Sequence, residues 1–320
     1  MDNGTVEHNV SSGDSAVVRE LSVFAMVTVT LQALLMVLIV LGNSLVLAAI
    51  CRFQVLQDVT GVFVANLAVS DLIIGVTQPF QTVFFFLPDL EMNKTACIMR
   101  YLVITFACNA SIYSLVCTVI DRYIAIKYPF TYHELMTKTT AYCMVVAIWT
   151  VDFMFQCIPL FGVNNYDQAP FCLYELVMNK WYRLFNFTSG LFFAFCMFLI
   201  YVHVYLIVRK HVTQIESEVT AEARALLKRT KQMNSAVAVV VLFFHISWLP
   251  FFFIQMTMLD AADVTRDKVM VANFLVFLGI INSVVNPIVY AWKNKRYRRA
   301  FKKLLCIKAN PDETTISTVA

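Results

Sequence analysis

Long apolar stretches alternate along the chain with short polar ones. The apolar stretches run at roughly 22–51, 59–87, 96–127, 139–161, 181–209, 233–258 and 269–291. Each reaches the ~20 residues a helix needs to cross the hydrocarbon of a bilayer. Backbone groups find no water there, so such segments must satisfy their own hydrogen bonds as helices, and nothing in the pattern suggests a barrel. The pattern predicts an all-α membrane protein: residues 22–291 form a seven-transmembrane helix bundle, with the termini on opposite sides. Residues 1–21 are polar and acidic and lack a basic leader segment, which predicts an extracellular, glycosylated N-terminus rather than a cleaved signal peptide. After the seventh stretch, Tyr297, Phe301, Leu304 and Leu305 recur at helical spacing among basic residues. Residues 292–306 therefore read as a short amphipathic eighth helix suited to an anionic leaflet. Residues 307–320 carry little apolar content and read as a disordered cytoplasmic tail.

Composition sharpens the picture. Of 320 residues, 59% are hydrophobic and only 14% charged, with a mean hydropathy of +0.69, too little charge to keep a soluble domain of this length dispersed. The net charge of +4 matters less than its placement. Arg52, Arg122, Lys127, Lys138, the cations between Arg209 and Lys231, and those between Lys293 and Lys308 fall on one set of apolar ends. Few cations, among them Lys94, Arg100, Arg183 and Lys268, fall on the other. The basic side is the cytoplasmic one by the positive-inside rule, which predicts a multi-pass plasma-membrane protein with its N-terminus outside. These clusters are divided among short loops rather than gathered on one soluble face, which disfavours nucleic acid as a partner. Glycosylation sequons at Asn3, Asn9 and Asn93 all fall on the predicted outer side. Of nine cysteines, Cys97 and Cys172 sit in polar loops on that oxidising side, where a disulfide is expected. Cys306, ending the amphipathic helix, is a candidate for palmitoylation. No Cys or His spacing suggests a zinc site.

The third stretch closes on Asp121-Arg122-Tyr123. An adjacent acid and guanidinium can neutralise each other in one state and release the arginine to another partner in a second, as a switch would. The same pair can also mark only the point where a hydrophobic helix meets water, and three residues alone decide nothing. Five further signatures stand in order around it. They are Gly42-Asn43, the run from Asn66 to Asp71, Trp149, Trp248-Leu249-Pro250 and Asn286-Pro287-Ile288-Val289-Tyr290, in the first, second, fourth, sixth and seventh stretches. In that order and spacing the set resembles the motifs of the rhodopsin-like (class A) G protein-coupled receptors, and the resemblance covers nearly the whole chain outside its termini.

That resemblance implies a receptor, not an enzyme, that passes binding of an extracellular ligand to heterotrimeric G proteins when its sixth helix swings outward. It implies a G-protein switch of Asp121, Arg122, Tyr123, Tyr205 and Tyr290, with Ile112 and Phe244 repacking beneath Trp248 and Pro250 letting the sixth helix bend. It also implies a sodium pocket of Asp71, Ser111, Trp248, Asn282 and Asn286, built on the one acid this reading finds mid-membrane. The bland alternative is a polar network that only holds helices together. No other cofactor is implied; arrestin, receptor kinases and membrane lipids are implied partners. Two departures stand out. Arg229-Thr230-Lys231 occupies the place where many relatives carry an acid, which predicts a looser off state and appreciable ligand-independent signalling. Met197 stands where a proline usually bulges the fifth helix.

The ligand is less legible. Cys172-Leu173-Tyr174-Glu175 resembles the second extracellular loop of adenosine receptors, where an aromatic stacks on the purine and the acid bonds its amine. Gln255 stands where those receptors use an asparagine, and a carboxamide can pair with an adenine edge. Phe252, Gly279 and Ile280 replace the groups that hold the ribose. Tyr132-His133, Met136-Thr137 and Tyr201-Val202-His203 resemble melanocortin receptors, yet Gln81, Cys97 and Tyr101 replace their ligand-binding acids. Ile104 removes the aspartate that pairs with biogenic amines, and Ile280 the lysine that holds retinal. The expected pocket is Gln78, Gln81, Thr105, Cys108, Asn109, Tyr174, Glu175, Trp248, Phe252 and Gln255. Its aromatics and amides suit a small, mostly uncharged ligand, purine-like or otherwise non-aminergic. The rival readings are an ion channel or transporter using Asp71, or a receptor-like scaffold that does not signal. His203 and His245 are lone residues, and no paired aspartate or Ser-His arrangement points to an enzyme.

Overall fold

The computed structural model describes residues 12–215 and 221–307. Asn3, Asn9 and the tail from 308 onward lie outside the described residues, as do the side chains of Arg229, Thr230 and Lys231. In chain order the α-helices are α1 (Ser12–Arg52), α2 (Val59–Phe86), α3 (Lys94–Lys127), α4 (Tyr132–Leu135), α5 (Lys138–Gln156), α6 (Tyr174–Val177), α7 (Lys180–Ile215), α8 (Ala221–Met256), α9 (Arg266–Lys293) and α10 (Lys295–Leu304). Seven of them, α1, α2, α3, α5, α7, α8 and α9, are long and apolar enough to cross a membrane. No β-strand occurs among the described residues; an isolated bridge joins Asn164 to Met178 in the loop between α5 and α7.

Local sequence sets several helix entries. Asp58, Asn93 and Thr137 stand just before apolar runs. Their side chains accept from the backbone N–H three residues on, at 2.9, 3.0 and 3.1 Å, satisfying donors that a helix start leaves free. Pro79, Pro250 and Pro287 lie inside α2, α8 and α9, where each removes a ladder hydrogen bond and permits a bend.

Lipid tails are as apolar as leucine, so packing and interhelical hydrogen bonds hold such a bundle together. The helix α3 runs through its middle, against α2, α5, α7 and α8. Ile39, Ile74, Leu115, Met197, Phe244 and Trp248 belong to the central core. Polar ties cross it: Asn66 donates to Ser114 at 2.6 Å and accepts from the Trp149 indole at 2.7 Å, joining α2, α3 and α5. The backbones of α8 and α9 come close because Gly279 has no side chain; a Cβ there would lie 2.8 Å from the Trp248 ring. At the end of the bundle where α9 gives way to α10, Tyr297 and Phe301 of α10 pack with Phe53, Leu56 and Tyr290. Arg296 of α10 ties it to the same region, donating to the Val55 carbonyl at 3.1 Å. By contrast α5 is peripheral: only Ala141, Asp152 and Gln156 of it are buried.

Candidate functional site

At one end of the bundle, a disulfide between Cys97 and Cys172 ties the start of α3 to the loop that carries α6. The loop is also held by Tyr101, whose hydroxyl donates to the Cys172 carbonyl at 3.1 Å. Beneath this tether Tyr174 lies edge-on to Tyr101 and Phe187, at centroid distances of 5.4 and 6.1 Å. Burial pushes the Tyr174 phenol above its ordinary range, so it stays protonated. Glu175 is buried and accepts from Gln255 Nε2 at 2.9 Å, while Gln255 Oε1 is buried with no partner. The acid and amide assigned to the ligand thus meet each other. Cys108, Trp248 and Phe252 are buried in the core below, with Trp248 stacked on Phe252 at 6.0 Å. Two expected pocket residues serve structure instead. Gln78 turns back to the Ile74 carbonyl at 3.1 Å, and Gln81 exchanges hydrogen bonds with the Arg100 carbonyl and Nε at 2.8 and 3.0 Å. A residue the sequence reading passed over, Arg183, is buried in α7 and donates to the Met258 and Leu259 carbonyls at 2.8 and 2.7 Å, closing the gap to α8.

Halfway through the bundle Asp71 is fully buried. Its Oδ1 accepts from Ser111 at 2.9 Å and from Ser283 at 2.8 Å, and its Oδ2 from Asn286 at 2.7 Å. Ser283, absent from the sequence reading, completes this shell where Trp248 was expected. The indole instead lies edge-on to Phe251, stacks on Phe252 and packs against Gly279. Asn282 and Asn286 of α9 each keep a buried Oδ1 without a partner, and Asn286, which donates to Asp71, thus holds a free carbonyl-type oxygen beside the carboxylate. That donor set is hard and oxygen-only, the chemistry that suits a sodium ion.

The expectation of a single mid-membrane acid is corrected by α5. Asp152 lies inside its span and is 2% exposed, facing Asn109 and Gln156 rather than lipid, and Asn109 in turn donates to Asn186 of α7. Thr105 of the expected pocket belongs to the same cluster through Gln156 Oε1, at 3.1 Å. Its sequence signal was Asp152 and Gln156, four residues apart on one face of an otherwise apolar helix.

At the other end Asp121 and Arg122 pair, with Arg122 Nε and a terminal nitrogen 3.0 and 2.5 Å from Asp121 Oδ2. Two further groups, missed as switch residues, close around them. Thr60 of α2 donates to Asp121 Oδ2 at 3.0 Å and also contacts Arg122, and Tyr132 of α4 donates to Asp121 Oδ1 at 2.7 Å. Burial, then the Asp121 carboxylate, push the Tyr132 phenol above its ordinary range, so it remains a donor. Tyr123 accepts from Lys127 at 2.7 Å and lies 5.6 Å from the His203 ring. Tyr205 and Tyr290 are not gathered here: Tyr205 is 63% exposed on α7, and Tyr290 stacks on Tyr297. Ile112 and Phe244 are both buried in the central core.

The family described as "7 transmembrane receptor (rhodopsin family)" matches residues 42–290. The chain is 29% identical over 304 residues to the adenosine receptor A2a of Canis lupus familiaris, covering 87% of this chain and 72% of that receptor. It is 29% identical over 301 residues to the adenosine receptor A2b of Mus musculus, covering 87% and 89%. It is 28% identical over 310 residues to the alpha-1A adrenergic receptor of Oryzias latipes, covering 85% and 66%.

Proposed function

The chain belongs to the rhodopsin family of seven-transmembrane, G protein-coupled receptors, and we propose that it transmits binding of a small, purine-like or otherwise non-aminergic ligand to heterotrimeric G proteins by outward movement of the cytoplasmic end of α8. The observation that carries the ligand reading is the buried Glu175–Gln255 hydrogen bond under the disulfide-anchored cap. A heterocycle with an amine beside a ring nitrogen offers Glu175 a donor and Gln255 a complementary edge, and so exchanges one bond for two or three. Tyr174 supplies an aromatic face to such a ring.

Ligand binding changes no covalent bond; it shifts a two-state equilibrium by its differential affinity for the two arrangements. In the off arrangement Asp121 and Thr60 hold Arg122 while Tyr132 holds Asp121, and the observed contacts support that reading. In the on arrangement Arg122 forms the floor of a cytoplasmic groove for a G protein helix, with Tyr205 and Tyr290 turning toward it. Asp71, Ser111, Ser283, Asn282 and Asn286 would hold a sodium ion, which supplies positive charge to the Asp71 carboxylate. Arrestin and receptor kinases are proposed to share the cytoplasmic face, and the basic side of α10, with Cys306 exposed and carrying a palmitoyl chain, to rest on anionic lipid. The N-terminus then lies outside the plasma membrane, and Asn93, exposed at the start of α3, is glycosylated.

The test is nucleotide exchange on a panel of purified G proteins, with and without adenine, adenosine, melanocortin-type peptides and lipids, comparing the intact chain with Arg122→Ala. Stimulation by a purine that Arg122→Ala abolishes supports the reading. Stimulation only by peptides or lipids would remove the purine assignment, and none on any G protein would favour a scaffold.

A further inference from the structure

Neither the cytoplasmic lock nor the Asp71 shell uses the second intramembrane acid. Of α5 only Ala141, Asp152 and Gln156 are buried, so most of what this peripheral helix turns inward is polar. Asp152 Oδ1 accepts from Gln156 Nε2 at 3.2 Å and faces Asn109 Nδ2 at 3.5 Å. Asn109 also donates to Asn186 Oδ1 at 3.0 Å, and Gln156 Oε1 accepts from Thr105 and from Tyr182. Asp152 Oδ2, by contrast, is buried and meets neither donor nor acceptor. Among the described residues no lysine or arginine forms an ion pair with it.

A network that served only to hold α3, α5 and α7 together would satisfy both carboxylate oxygens. Here each protonation state leaves a defect. Ionised, Asp152 presents a bare charge away from water; protonated at Oδ2, it presents an O–H with no acceptor, and both are expensive in this setting. The amide groups that do reach Oδ1 are donors, so they offer no acceptor to a proton on the carboxyl. A positive charge at Oδ2 removes the defect, and the carboxamide oxygens of Asn186 and Gln156, which accept from Asn109 and from Thr105 and Tyr182, belong to the same hydrogen-bonded network.

We propose that Asp152, with Asn109, Gln156 and Asn186, forms a binding site for a monovalent cation between α3, α5 and α7, occupied by a sodium ion or by the ammonium group of a small organic amine. An amine seated there finds its counter-charge on α5, not at Ile104 of α3. The site is independent of the purine assignment, because it rests on a different acid and different helices from Glu175 and Gln255.

The experiment uses the purified full-length receptor and follows thermal unfolding in sodium chloride, in methylammonium chloride, and at equal ionic strength in the bulky cation N-methyl-D-glucamine. Since Asp71 is itself a proposed sodium site, the Asp71→Asn variant isolates the second one. Sodium or methylammonium is expected to raise the unfolding temperature of Asp71→Asn saturably by about 2 °C or more, and adding Asp152→Asn to abolish that rise. A response to sodium alone identifies an ion site, and a response to methylammonium identifies an amine site. The proposal is overturned if Asp71→Asn removes all dependence on both cations, or if the double variant keeps it. Should the double variant not fold, saturable binding of radiolabelled sodium or methylammonium to Asp71→Asn supports the site, and saturable binding of neither overturns it.

Discussion

Replacing Tyr132 by Phe deletes one hydroxyl from the proposed Asp121–Arg122 lock and leaves the ring in place. That hydroxyl reaches Asp121 Oδ1 at 2.7 Å, whereas Thr60 and Arg122 approach Oδ2. Asp121 is 0% and Arg122 8% exposed, so water does little to replace a lost donor. A hydrogen bond to a charged group contributes about 1.5–3 kcal/mol. If Tyr132 makes this bond only in the closed arrangement, the closed-to-open ratio falls by the same free energy, about 10- to 100-fold at 1.4 kcal/mol per decade. A receptor open about 1% of the time would then be open about 10% of the time or more. Because the phenol is held protonated, the effect is the same across the neutral pH range. The assay is ligand-free nucleotide exchange on purified G protein, comparing Tyr132→Phe with the intact chain at equal amounts of folded receptor. From so low a basal level a rise of about tenfold or more is expected, and a smaller one in proportion if the basal signalling anticipated from Arg229-Thr230-Lys231 already opens a larger fraction. Basal exchange equal to that of the intact chain, with folding unimpaired, would refute the assignment of Tyr132 to the lock.

Three further outcomes follow from the geometry. Cys172→Ser opens a link between residues 75 apart in sequence, and the chain-entropy model puts the loss at about 4 kcal/mol; thermal unfolding and surface expression should both fall, and Cys97→Ser should match it. Gly279→Ala drives a Cβ to 2.8 Å from the buried Trp248 ring and should lower stability by about 1–3 kcal/mol through overpacking, an effect read from the unfolding midpoint. Glu175→Ala and Gln255→Ala, combined in a double-mutant cycle on stability, should show a coupling of about 1 kcal/mol or more; strictly additive losses would mean the bond under the cap contributes nothing.

The bundle itself was legible in the chain because bilayer crossing is a local property. Twenty apolar residues must be helical whatever surrounds them, and Asp58, Asn93 and Thr137 mark entries by capping residues close at hand. The order of short motifs likewise identified the family and the acid-arginine pair without any coordinates. What the chain could not reveal was which polar groups meet, since each meeting depends on residues far apart in sequence. Ser283 joins Asp71 across 212 positions, Thr60 joins Asp121 across 61, and Gln255 joins Glu175 across 80. Asp152 escaped notice for a related reason: averaged over an apolar span, one acid hardly changes the hydropathy. Only the rotation of α5 about its axis decides whether that acid meets lipid or the Asn109 amide of α3. Sequence determined that seven helices form, where they begin and which side carries the positive charge. Tertiary packing decided their rotation and depth, and through them which buried charges find partners and which are left waiting for one.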